Sequence, residues 1–183
     1  MRRLPPIACA AAVLAAGCGN EQSTPPDVSK PVHPAGSVPF ESQGITFATP
    51  GGWHARGGTA PLVATVQSGP AQIAVWRYPR SEPLPKTGAQ LTQARDLILQ
   101  AAKARDQTFK EARTTITKVD GHPAIQIRGT ETVSGQGRTV RSTHVYAFGA
   151  EVVVDAFAPA DVFGQVDREA FVPVVKSLRL ASP

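Results

Sequence analysis

A chain of 183 residues with a formal charge of +5 is long enough for one domain with a real core, and too mildly basic to argue for nucleic acid. Its two cysteines, Cys9 and Cys18, both lie near the start, so the rest of the chain has no disulfide and no thiol chemistry. No internal repeat is visible, and no apolar run reaches the roughly 20 residues that a membrane-spanning helix needs.

Arg2 and Arg3 precede an uncharged run from Ile7 to Gly17, and small residues lead into Cys18. That is a secretory leader ending at a thiol. Leu14-Ala15-Ala16-Gly17-Cys18 resembles the lipobox of bacterial lipoproteins, although Ala15 stands where leucine is commoner and Leu14 is one place early. The resemblance implies that residues 1–17 are a signal peptide, and that Cys18 is lipidated through its sulfur and acylated on its new amino group. The alternatives are an ordinary cleaved leader or a short anchor. Each buried methylene adds about 0.8 kcal/mol, so two or three acyl chains would hold the protein on the bilayer almost permanently. Losing Arg2 and Arg3 removes two charges from the +5. What remains slightly favours an anionic membrane surface or a wall polymer.

Residues 18–38 contain Pro25, Pro26, Pro31 and Pro34 among polar and small residues. That composition reads as a lipidated N-terminus and a disordered tether reaching about 25 Å, in which His33 is inert. Residues 39–183 are expected to be the globular domain. Ile45, Phe47 and Thr49 alternate as in a strand, and Pro50-Gly51-Gly52 ends it before Trp53, read as a structural plug. Leu62 to Val66 and Ile73 to Tyr78 are two further strands. Thr87 and Gln90 have capping-box spacing, and the helix after them runs to about Asp106 with Leu91, Ala94, Ile98, Ala101 and Ala102 on one face. Four strands follow: 109–119, 124–130, 138–148 and 151–158. Asp120-Gly121 marks the first turn, and Gly149-Ala150 is read as a type II′ turn closing the last hairpin. A final helix is expected over Asp167 to Ser177, with Phe171, Val174, Val175 and Leu178 on one side and Pro173 disturbing its ladder.

These elements make an α+β domain. Ile45-Thr46-Phe47 with Pro50-Gly51-Gly52-Trp53, then Val119-Asp120-Gly121 with Pro123-Ala124, a valine-rich strand and the closing Ser177-Leu178 resemble the PsbP-like and DcrB-like family. The resemblance spans about Gly44 to Leu180. It implies a single domain with an antiparallel sheet flanked by helices, a PsbP-like α/β/α sandwich, and an accessory or binding role rather than catalysis. No functional residue carries over from it, because fold analogy names no site.

A turn at Gly149-Ala150 sets Tyr146 opposite Val153, His144 opposite Asp155 and Ser142 opposite Phe157, all on one side of the ribbon. The other side carries Val145, Ala147, Val152, Val154 and Ala156 and is expected to be core. Serine, histidine and aspartate on one face invite a catalytic triad. They are read instead as a cross-strand polar pair, since mid-strand amides are used by the sheet ladder and no G-x-S-x-G elbow occurs. Trp76 and Tyr78 alternate onto one face of their own strand. If that face also bears His144, Tyr146 and Asp155, an aromatic, weakly polar groove suited to a small ligand results, unless a helix covers it. His54, read in a loop after Trp53, and His122, beside the hairpin turn, lack the spacing and acidic companions of a zinc site, so no metal or cofactor is expected. The leading expectation is a lipid-anchored extracytoplasmic binding or accessory module that engages the membrane through Cys18, and a protein, a wall polymer or a small ligand through its domain. A carrier of a small apolar or lipid-like molecule, and a hydrolase using Ser142, His144 and Asp155, are the alternatives.

Overall fold

The structure, a computed structural model, describes residues 27–30, 32–40 and 43–183. The lipobox, Cys18 and the start of the tether lie outside the described residues. The strands are β1 (Val32–Phe40), β2 (Ile45–Gly51), β3 (His54–Gly57), β4 (Leu62–Ser68), β5 (Ala71–Pro79), β6 (Lys110–Val119), β7 (His122–Val133), β8 (Gln136–Ala147), β9 (Ala150–Pro159) and β10 (Arg179–Leu180). The helices are α1 (Gly88–Arg105), α2 (Ala160–Val166) and α3 (Val172–Ser177). Seven strands form one antiparallel sheet in the order β3-β4-β5-β9-β8-β7-β6, and β1-β2-β10 form a smaller one.

Alternation along β8 and β9 gives the large sheet one predominantly apolar face and one mixed face. Val145, Val152, Val154 and Ala156 are fully buried on the apolar one, where they share a core with Phe163, Phe171, Val174 and Leu178 of the C-terminal helices. Ile45 and Phe47 of β2 close that core. Full burial of side chains such as Phe47, Phe163 and Phe171 contributes about 1.5–3 kcal/mol each. Arg141, on the same side of β8, reaches Asp167 at 2.7 Å and Gln126 at 3.0 Å and lies over the Phe171 ring, tying the helices to the sheet.

The opposite face carries α1. The capping box forms as expected: Gln90 N–H donates to Thr87 Oγ1 at 3.3 Å, and Thr87 N–H donates to Gln90 Oε1 at 3.0 Å. Near its start the helix presses Leu91 onto a second core with Ile125, Ile127 and Tyr146. Further along, Ile98 and Ala102 are only half-buried and Ala101 is exposed, so the stripe leaves the sheet incompletely covered.

Four expectations are corrected. The tether does not extend to residue 38. Val28 packs on the main core, Ser29 N–H donates to Ser68 Oγ at 2.8 Å, and the Trp53 indole donates to Ser29 O at 3.0 Å. From Val32 the backbone pairs with β2 as an edge strand, with a register shift between Val32 and Gly36 that brackets Pro34, which has no N–H to offer. His54 stands in the short exposed strand β3 rather than in a loop.

The β8–β9 turn is Phe148-Gly149, both at positive φ (47° and 67°), not Gly149-Ala150. Ala147 therefore pairs with Ala150, and the whole register moves by one pair: His144 faces Val153, Ser142 faces Asp155 and Tyr146 faces Glu151. A shift of two residues keeps every side chain on its face, so the apolar side is as expected. The closing helix starts at Ala160, directly after Pro159, and widens to a π-helical turn over Asp167–Phe171. There Val172 N–H donates to Asp167 O, just ahead of Pro173, which cannot continue the normal ladder.

Candidate functional site

Between α1 and the sheet lies a half-open cavity of about 460 Å³. Trp76 and Tyr78 of β5 pair with Val153 and Glu151, which in turn oppose His144 and Tyr146, so the aromatic face and the histidine face are one surface. Ile98 and Ala102 from α1, with Phe109, Val140, Val153 and Phe157 from the sheet side, supply apolar walls. Tyr78, Ser142, His144, Glu151 and Asp155 add polar groups, while Arg105 and Glu131 also line the space. Mixed walls of this kind, in a cleft of 300–1,000 Å³, are usual for small-ligand sites.

Ser142, His144, Glu151 and Asp155 form a hydrogen-bonded chain with Arg80. Ser142 Oγ lies 2.9 Å from His144 Nε2, and His144 Nδ1 lies 2.7 Å from Glu151 Oε1. Arg80 donates from Nη2 to Glu151 Oε2. Asp155 is hydrogen-bonded with Ser142. Burial opposes ionisation of Glu151, yet the bonds from His144 and Arg80 outweigh it and hold the carboxyl below its ordinary value. Asp155 is pushed the other way, because burial dominates and the Ser142 bond and the His144 charge only partly offset it. Burial also raises the Tyr146 hydroxyl, helped by the Glu151 charge, and raises Glu131 at the far wall.

The expected site residues separate into three groups. Tyr78, His144 and Asp155 line the cavity. Trp76 stands beside it, half-buried and stacked on Tyr78 with ring centres 6.2 Å apart. Tyr146 is buried under α1 and faces a smaller neighbouring space of about 280 Å³, bounded by Leu84 and Leu97 and sharing Arg80, Ile98 and Glu151 with the first. His144 and Asp155 are not directly opposed, and the acid at the imidazole is Glu151. Sequence reasoning missed Glu151 and Arg80 because the assumed turn placed Glu151 beside Phe148. Gly149 at the second turn position was the available signal, since a type I′ turn favours glycine there. His122 meets the Phe148 ring edge-on at 5.1 Å. Among the described residues no grouping of histidines, cysteines and acids could hold a metal, and no helix is long and apolar enough to cross a membrane.

The cyanobacterial PsbP protein of Synechocystis superimposes on this chain with a TM-score of 0.61 at 15% identity, covering 80% of this chain and 92% of its own. The fold is PsbP-like. LpqN of Mycobacterium tuberculosis, described as involved in cell envelope biogenesis, is similar with a TM-score of 0.54 at 17% identity, covering 84% of this chain and 90% of its own. No family model matches the sequence, and no curated protein matches it significantly. The PsbP-like domain is thus shared as architecture, and the groups lining its cavity must be read from this chain's own residues.

Proposed function

We propose that this protein is a lipid-anchored, extracytoplasmic binding module whose PsbP-like domain holds a small amphiphile beneath α1. The observation that supports this best is the half-open cavity of about 460 Å³, with apolar walls and a hydrogen-bonded polar chain at Ser142, His144 and Glu151. An apolar body would displace water from Phe109, Val140 and Phe157. Its polar end would exchange water for Ser142, Asp155 or Tyr78, so both ends are matched. The lipobox resemblance at Cys18 supplies the anchor, and an envelope role for the similar LpqN is consistent with that address.

Titration with an environment-sensitive naphthalene dye tests the binding reading. The wild-type chain should bind it saturably with one site. Ala102→Trp, which fills the cavity from α1, should lose binding while melting cooperatively. Equal binding by both chains would count against the cavity. Anchoring is tested separately: Cys18→Ala should move the protein from the membrane fraction to the soluble fraction, and unchanged fractionation would remove the lipid anchor.

A further inference from the structure

We propose that Ser142 is an activated nucleophile that accepts the acyl group of a small carboxylic ester held in the cavity, a step that rests on the cavity admitting a ligand. The geometry is that of a serine–histidine–acid relay. Ser142 Oγ is 2.9 Å from His144 Nε2, within range for direct proton transfer, and His144 Nδ1 is 2.7 Å from Glu151 Oε1. Glu151 is buried and fixed by Arg80, so it can hold the ring with Nδ1–H toward itself and leave Nε2 as the acceptor. Ser142 and His144 both keep partial exposure and both line the cavity, so a substrate reaches the oxygen without unfolding.

Backbone amides cannot stabilise the oxyanion, because β8 is paired on both sides. Two side chains lining the same cavity can take that role. Arg105 carries a fixed charge and forms no salt bridge among the described residues. Asp155 lines the same cavity and is in hydrogen-bond contact with Ser142, so it stands beside the reacting oxygen, and in the protonated form it would donate to the oxyanion. In the step itself the Oγ–H proton passes to His144 Nε2 as Oγ bonds to the carbonyl carbon. The ester C–O bond then breaks, and Nε2–H returns the proton to the departing alkoxide, giving an alcohol and an acyl-serine. Water, deprotonated by the same nitrogen, releases the carboxylic acid and restores the hydroxyl. Ile98, Ala102, Val140 and Phe157 offer apolar surface to the acyl chain.

The full chain in detergent, treated with a small dialkyl fluorophosphate and mapped by peptide mass spectrometry, tests this. Phosphorylation with loss of hydrogen fluoride is expected at Ser142 alone, and not in Ser142→Ala. His144→Ala should slow labelling by about 100-fold or more, with Glu151→Gln between it and the wild type. His144→Gln, closer in size, guards against a misfolded alanine variant. Release of nitrophenol from nitrophenyl acetate should depend on Ser142 in the same way. Absent labelling, labelling at another serine, or an undiminished rate in both histidine variants would overturn the proposal. The naphthalene-dye titration separates the two readings. A chain that binds dye but does not label loses only the nucleophile, whereas one that does neither loses the ligand cavity as well.

Discussion

Glu151 and Asp155 lie on one strand and face one cavity, yet their surroundings shift their acidities in opposite directions. Glu151 sits below its ordinary value of 4.5 because its partners outweigh burial. Its stabilising contribution is therefore complete above that value, and is lost as the pH falls through the lower folded-state value. Asp155 sits above its ordinary value of 3.8 because burial dominates. It carries no penalty well below that value, and destabilises as the pH rises through the higher folded-state one. Glu151→Gln should therefore cost about 1–2 kcal/mol at neutral pH, less than a fully buried pair because Arg80 stays half in water. Asp155→Asn should stabilise the fold at neutral pH and lose that advantage in acid. Urea unfolding at neutral and strongly acidic pH reads both signs. Equal effects at the two pH values would show that neither carboxyl is coupled to folding.

At the scale of elements, the Phe148-Gly149 turn decides the register of the β8–β9 hairpin and hence which acid meets His144. Phe148 adopts φ 47°, which costs a residue with a side chain about 1 kcal/mol or more. Phe148→Asn relieves that strain, since asparagine tolerates the left-handed region and Asn-Gly is the preferred type I′ pair. It gives up the edge-on ring contact with His122. A net gain of about 0.5–1 kcal/mol is expected from chemical unfolding, and a loss would mean that the ring contact outweighs the strain. Thr87→Ala should cost about 1 kcal/mol by opening the capping box, checked by the same unfolding curve. Alternation and cap chemistry are local, so β2, β4 through β9 and α1 were legible in the sequence. The turn was not, because a phenylalanine at positive φ is held by its surroundings: Phe148 O accepts from the buried Arg77, which also donates to Gln43 O. The early start of α2 was hidden for a related reason. Pro159 and the small Ala160 carry little helical signal of their own, and Phe163 and Val166 gain their meaning only against the sheet.

Over the whole molecule, the large sheet separates two different interiors. The side facing α2 and α3 is densely apolar and closed by β2. The side facing α1 is closed near Leu91 and open toward Arg105, where Ile98 and Ala102 pack only partly on the second core and, with Ala101, line the cavity. A periodic stripe shows which side of a helix turns inward, but not how far the helix stands from what it covers. That distance depends on residues remote in sequence, such as Val140 and Phe157, so the sheet face was legible and its partial opening was not. Whether the space beneath α1 holds a ligand is read most directly by native mass spectrometry of the full chain purified gently from its own membranes. One small amphiphile is expected per wild-type chain and none in Ala102→Trp. Wild-type protein that is empty, or both proteins carrying the same bound mass, would contradict a ligand site there.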